Sequence, residues 1–392
     1  MKRNEHFEAL AAGYLFPEVA RRRKAFQAAH PDARIISLGV GNTTEPLTPH
    51  IKSALVAAAE RLGTAAGYSG YGDEQGETAL REAISRVHYA GRVAPDEIFV
   101  SDGAKCDIAR LQVLFGACAA VVQDPAYPVY VDGSIIQGAS LVYMPCTREN
   151  GFMPELSVIP EGSLVYFCSP NNPTGAVANR EQLGRLVDEV RRKRSILVFD
   201  AAYSEYVSDP ALPRSVYEID GAAECAIEVN SFSKPIGFTG VRLGWSVAPK
   251  ALEYDDGRGV NADWNRIATT LFNGASNIAQ AGGLASFDPE GRAEMKGLVG
   301  YYMENARIIR SALAGLGIEC IGGDNAPYIW ARFPGRDSWE VFGEILERCH
   351  VVTTPGSGFG PAGQGYIRFS SFGHRESVVE ATGRLAKLGA KL

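Results

Sequence analysis

Paired cysteines, clustered histidines, basic runs and long apolar stretches are all missing from this 392-residue chain, and each absence closes off a class of function. Seven cysteines, an odd number without a CxxC pair, sit in mostly apolar settings such as VYFCSP and GIECIGG. That pattern fits the buried, reduced thiols of a cytoplasmic protein and not a disulfide framework. Six histidines lie far apart with no HExxH spacing, so no metal is expected. No apolar run reaches bilayer length, and the opening MKRNEHFEALAAGYLF lacks an apolar core followed by small residues. Neither a membrane segment nor a signal peptide is expected. Lys plus Arg number 39 against 45 Asp plus Glu, a formal charge of −6, and no basic stretch interleaves with aromatics, which argues against a nucleic-acid partner. The densest basic cluster, RRRK at Arg21–Lys24, falls where Phe16, Val19, Ala20 and Phe26 mark an amphipathic helix, so it reads as the wet face. Internal repeats and low-complexity linkers are absent too. Gly39 and Gly41 lack the third glycine of a dinucleotide fingerprint, and GSGFG from Gly356 comes late and reads as a turn.

What is present is an alternation of short apolar runs with helical ones, the mark of an α/β architecture with a mostly parallel central sheet. Candidate strands are EIFVSDG, AAVVQDP, SLVYFCSP, SILVFDAAY and AIEVNSFS, each ending in polar, Gly or Pro residues. Helical spacing recurs in Ile51, Ala54, Leu55, Ala58 and Leu62, and again in Ile108, Leu111, Leu114 and Phe115. After about residue 290 the rhythm changes to a long helix from Glu294 to Leu316, a strand at PYIWARF, a helix at SWEVFGEILERC and a strand at YIRFSSF. The length and the 46% apolar content suit a large domain over residues 45–288 and a smaller α+β domain over 289–392. The segment 1–44 is expected to join the smaller one.

The polar residues worth attention gather at the strand ends, where open α/β sheets bind ligands. In chain order they are Tyr127, Asn172, Asp200, Tyr203, Ser231, Ser233, Lys234 and Arg242. Taken singly each has an ordinary reading: a turn asparagine, a strand-end aspartate, a solvated arginine. Together they supply every contact that a pyridoxal phosphate ring requires. Tyr127, held between prolines, offers a stacking face. Asn172 and Tyr203 offer donors to the ring oxygen, and Asp200 a carboxylate that keeps the ring nitrogen protonated. Ser231, Ser233 and Arg242 suit a dianionic phosphate, and Lys234 supplies the covalent link. Upstream, Gly103, Ala104 and Lys105 stand at a strand-to-helix junction whose free amides favour a phosphate. Arg368, in YIRFSS, offers a fork for an amino acid's carboxylate.

SPNNPTG, DxxY, SFSKP and the later Arg242, in this order, resemble the fold type I pyridoxal-phosphate-dependent transferases of the aminotransferase class over nearly the whole chain. Closer still, YLF, GVGNTTEPLTP, GYSGYGDEQG, SDGAKCD, DPAYPVY and SFSKPIGFTGVRLGW are similar to the LL-diaminopimelate aminotransferase family. The resemblance implies amino transfer between LL-2,6-diaminoheptanedioate and 2-oxoglutarate in lysine and peptidoglycan precursor synthesis. Lys234 would then be both the cofactor's anchor and the proton carrier. It implies a homodimer with shared sites, in which Tyr71, Glu74 and Asn273 reach the neighbour's cofactor or substrate. Tyr14, Gly41, Glu74 and Lys105 would hold the distal part of the substrate, and Tyr127, Asn172, Asn273 and Arg368 would bind it as well. The nearest alternative is an aminotransferase of the same fold acting on aspartate, alanine or aromatic amino acids. One departure stands out: the family commonly carries an acidic residue where this chain has Asn42.

Overall fold

In the computed structural model residues 1–10 and 13–387 are described. Ala11 and Ala12 of the opening stretch and residues 388–392 of the expected smaller domain lie outside them. Among the described residues no helix is long and apolar enough to cross a membrane. In chain order the strands are β1 (Ile36–Ser37), β2 (Ile98–Ser101), β3 (Ala120–Asp124), β4 (Leu141–Pro145), β5 (Leu164–Cys168), β6 (Ile196–Asp200), β7 (Ala226–Ser231), β8 (Gly244–Val247), β9 (Cys320–Gly322), β10 (Tyr328–Arg332), β11 (Val351–Val352), β12 (Thr354–Pro355) and β13 (Tyr366–Ser370).

Seven of them build one sheet in the order β2-β8-β7-β6-β5-β3-β4, parallel throughout except at β8, which runs antiparallel to both neighbours. Its strands are apolar on both sides because both faces are covered by helices. Val121, Val165 and Leu197 point to one face, where Leu183, Leu186, Val187 and Val190 of the helix Arg180–Arg192 bury them. Val122, Tyr166 and Val198 point to the other, against Ile108 and Leu111 of the helix Ala104–Phe115. This alternation follows from the two-residue period of a strand, and the parallel direction of β5, β6 and β7 brings their polar ends to one edge of the sheet.

The five strands expected from sequence are all present, and two members of the sheet were not read. β8 is only GWSV, with a glycine at its head. The glycine is there because a Cβ at Gly244 would stand 2.7 Å from the Asn230 carbonyl and 3.0 Å from the Ala104 nitrogen. β4 is a half-buried edge strand closed by Pro145, which blurs its apolar signal.

A four-stranded antiparallel sheet, β12-β13-β10-β9, forms the second core together with the helices Ser338–Cys349 and Arg375–Ala386. The helix Leu15–Ala29 packs its Val19 and Phe26 there, and β1 pairs in parallel with β11. Ala20 lies exposed, so that helix buries a narrower stripe than its sequence suggests. The long helix runs from Pro289 to Gly315, one turn earlier than expected, started by the Asp288 side chain accepting from the Gly291 N–H. Its Leu298 and Tyr302 join Tyr203, Tyr206, Tyr328 and Phe372 in an aromatic cluster between the two sheets.

Candidate active site

A cavity of about 270 Å3 opens at the carboxyl ends of β5, β6 and β7, where the small sheet faces the large one. Lys234, Asp200, Tyr203, Asn172, Tyr127 and Gly41 line it, and so do Ala104, Lys105, Ser231, Ser233, Arg242 and Arg368. Four expected site residues do not. Tyr71 is 87% exposed, and Glu74 and Asn273 are also exposed, all three away from the cavity of their own chain. Tyr14 stands in a neighbouring cleft of about 690 Å3, linked to the first by the Lys105 ammonium, which lies 5.4 Å from the Tyr14 ring and 5.9 Å from that of Tyr127. Asn42 is exposed and makes no side-chain hydrogen bond among the described residues.

Each side chain is aimed by a local device. Asp200 ends β6; its Oδ1 accepts from the Ala202 N–H (3.0 Å) and its Oδ2 from the Tyr130 hydroxyl (2.7 Å). Burial pushes its carboxyl up, the two donors pulling the other way. No cation stands within ion-pair distance of it among the described residues, so a protonated ring nitrogen would be its counter-charge. Asn172 follows β5 in a turn that Asn171 stiffens with bonds to the Pro125 carbonyl (3.2 Å) and the Thr174 hydroxyl (2.9 Å). Its Oδ1 accepts from the Arg368 Nη1 (2.5 Å), which leaves the amide N–H groups for another acceptor.

The far end of the cavity is built for an anion. No side chain caps the first turn of the helix Ala104–Phe115, whose N-cap Gly103 has φ +126°. Its first amides therefore face outward without intrahelical partners. Arg242 donates from Nη1 to the Ser233 hydroxyl (3.1 Å) and the Thr239 carbonyl (3.2 Å). A Cβ on Gly103 would come within 2.6 Å of that guanidinium, so glycine is what lets loop and arginine share the cup. Ser231 accepts from the Ser233 N–H at 3.1 Å.

Lys234 hydrogen-bonds the Gly41 carbonyl through its amine. Burial, then the nearby Arg368 and Arg242 charges, bring its pKa down to about 7. Arg368 is 1% exposed and meets no carboxylate among the described residues. It donates to Asn172 and to the Gly39 carbonyl (2.5 Å), while its Nε is buried with no partner. Burial pulls its pKa below the usual arginine range. A buried guanidinium with an orphaned donor is a site waiting for an anion.

Sequence reasoning missed several residues of this cavity. Tyr130, bonded to Asp200, lies one helical turn past Tyr127 in the same motif, yet nothing in the sequence aims it at Asp200. Phe16, Val40, Ile108, Cys168, Ala202 and Tyr328 complete the wall. A lysine with a lowered pKa, a buried carboxylate lacking a cation and an anion cup at opposite ends of one cavity fit pyridoxal phosphate, and they define a pyridoxal-phosphate enzyme of the α/β type.

Residues 33–385 match the family model for aminotransferase class I and II, and the chain belongs to that family. It is 55% identical to the rice protein described as a probable chloroplastic LL-diaminopimelate aminotransferase, over 98% of this chain and 86% of that one. It is 54% identical to the Arabidopsis thaliana LL-diaminopimelate aminotransferase, also chloroplastic, over 99% and 87%. The structure of L,L-diaminopimelate aminotransferase from Chlamydomonas reinhardtii superposes with a TM-score of 0.96 at 56% identity, covering 99% of this chain and 98% of that one.

Proposed function

We propose that this chain catalyses amino transfer between LL-2,6-diaminoheptanedioate and 2-oxoglutarate, giving tetrahydrodipicolinate and glutamate or running in reverse, in lysine and peptidoglycan precursor biosynthesis. The observation that carries the reading is identity of more than half the residues, over nearly the full chain, to proteins described with that activity. Pyridoxal phosphate supplies the electron sink for the substrate's α carbon. Tyr127 would stack on its ring, Asp200 hold its nitrogen, and Asn172 and Tyr203 donate to its ring oxygen. Ala104, Lys105, Ser231, Ser233 and Arg242 would hold its phosphate.

Lys234 would be the cofactor's covalent anchor, and its free amine would take the proton from the substrate's α carbon. An amine with a pKa of about 7 is half neutral at cellular pH, as a general base must be. Arg368 binds the carboxylate beside the reacting carbon, and its charge also keeps Lys234 neutral. Tyr14, Lys105 and Gly41 grip the distal end. Exposed Tyr71, Glu74 and Asn273, useless to their own cavity, are the support for a homodimer in which each copy completes the other's site. Tyr71 would reach the neighbour's cofactor, and Glu74 the distal ammonium of its substrate. Residues 1–44 and 289–392 would form one small domain over the large domain 45–288, except that the turn Glu5–Ala9 rests on the helix Val129–Ile136 of the large one, with Asn4 donating to the Ile136 carbonyl at 3.2 Å. The seven free thiols suit a reducing cytoplasm.

Steady-state assays with 2-oxoglutarate and a panel of donors test this reading. LL-diaminopimelate should give ping-pong kinetics and a kcat/KM at least about a hundredfold above aspartate, alanine and phenylalanine, since a donor without the distal ammonium leaves the Glu74 carboxylate of the neighbouring copy unpaired, at a cost of several kcal/mol. A preference for aspartate or phenylalanine would overturn the substrate and favour the broader aminotransferase reading.

A further inference from the structure

Tyr328 makes no hydrogen bond to Lys234 among the described residues, yet it meets both halves of the machinery. It belongs to β10, in the small sheet, and its hydroxyl lies 2.8 Å from that of Tyr203, which follows β6 in the large sheet. The two rings meet edge to face at 5.2 Å. In the antiparallel register Tyr328 opposes Ser370 and Trp330 opposes Arg368, so Tyr328 and Arg368 share one face as diagonal neighbours. The Arg368 guanidinium accordingly rests 4.4 Å from the Tyr328 ring centre. Tyr328 is 1% exposed, and its hydroxyl occupies the space that a Cβ on Gly41 would take.

The single hydrogen of each hydroxyl fixes the direction of the chain. If Tyr203 gives its hydrogen to the cofactor's ring oxygen, it has none left for Tyr328 and must accept. We propose that Tyr328 is a positioning residue that donates to Tyr203 and shelves Arg368, and so sets donor strength at the cofactor's ring oxygen and the aim of the carboxylate clamp together. This rests on the placement of Tyr203 and Lys234 given above. A hydroxyl that accepts a hydrogen bond donates more strongly, by roughly a tenth to a third. A stronger donor stabilises negative charge on the ring oxygen, which lets the nitrogen joining Lys234 to the cofactor lose its proton at lower pH. The ring beneath the guanidinium acts separately, through cation–π attraction.

The test uses cofactor-loaded Tyr328→Phe, Tyr328→Leu, Tyr203→Phe and the double variant Tyr203→Phe/Tyr328→Phe. The first readout is the pH midpoint of the visible absorbance change of the lysine-bound cofactor, with no substrate present. Tyr328→Phe should raise that midpoint by about 0.5 pH unit and Tyr203→Phe should raise it further. In the Tyr203→Phe background Tyr328→Phe should add nothing. The second readout is KM for 2-oxoglutarate: unchanged within about twofold in Tyr328→Phe, which keeps the ring, and raised about tenfold in Tyr328→Leu, which does not. A midpoint moved by Tyr203→Phe but not by Tyr328→Phe sinks the proposal alone. One moved by neither removes the placement of Tyr203 and the proposal with it. An additive shift in the double variant also overturns it, because the two hydroxyls would then be acting independently.

Discussion

Arg368→Met separates what this arginine does for substrate from what it does for the fold. In the wild type the guanidinium is buried, unpaired by any carboxylate among the described residues, and aimed by Asn172 and the Gly39 carbonyl with its Nε left over. Removing one partner of a buried charge pair costs about 3–5 kcal/mol. With substrate bound, that is a roughly 150- to 5,000-fold loss in kcat/KM. Without substrate the balance differs. Replacing a buried, uncompensated charge by an apolar side chain of similar size is neutral to stabilising by about 1–4 kcal/mol, while orphaning the Asn172 Oδ1 costs about 1–3 kcal/mol. The Gly39 carbonyl keeps the Thr354 hydroxyl at 2.7 Å. The two terms nearly cancel, so the melting temperature of the substrate-free protein should move by no more than about 3 °C. Initial rates across 2-oxoglutarate concentrations and a thermal melt on the same preparations supply both numbers. A kcat/KM within tenfold of wild type would refute the clamp. A melting point lowered by more than about 10 °C would show that the arginine is chiefly structural.

Two further outcomes follow from the site. Lys234 must be neutral to attack the cofactor, and burial with two neighbouring arginines lowers its pKa to about 7. The rate at which cofactor-free protein takes up pyridoxal phosphate, followed by absorbance, should therefore rise about tenfold per pH unit below 7 and level off above it. A rate still climbing between pH 8 and 10 would mean an ordinary lysine. If sites are shared between two copies, Lys234→Ala and Glu74→Ala are each nearly inactive alone. Mixed after partial unfolding, they should regain about a quarter of wild-type turnover, from hybrids with one intact site; no regain would place Glu74 in its own chain's cavity, and a Glu74→Ala protein active on its own would place it outside the chemistry.

Much of the cavity could be read from sequence because its parts hang on strand ends. Asp200 and Ser231 are the last residues of β6 and β7, Asn172 follows β5 by a short turn, and an apolar run that stops at a polar residue announces where it will be delivered. The parts that stayed hidden depend on contacts between elements distant in the chain. Tyr130 reaches Asp200 across 70 positions and Tyr328 reaches Tyr203 across 125. A tyrosine in YIWARF looks like core until the antiparallel register puts it beside Arg368. β8 escaped notice for a related reason: its glycine answers to the crowding of Asn230 and Gly103, and a lone glycine in a four-residue strand reads as a break. Tyr71, Glu74 and Asn273 carry no local signal at all, since their partner would be a second copy of the chain.

The most direct test of the central claim is to mix cofactor-loaded protein with LL-diaminopimelate alone, without any oxo acid, and follow the absorbance of the lysine-bound cofactor. LL-diaminopimelate and glutamate should bleach it rapidly, and aspartate, alanine, lysine and phenylalanine should do so little. Bleaching by aspartate or phenylalanine with none by LL-diaminopimelate would leave the cofactor site standing and contradict the roles of Tyr14, Glu74 and Lys105.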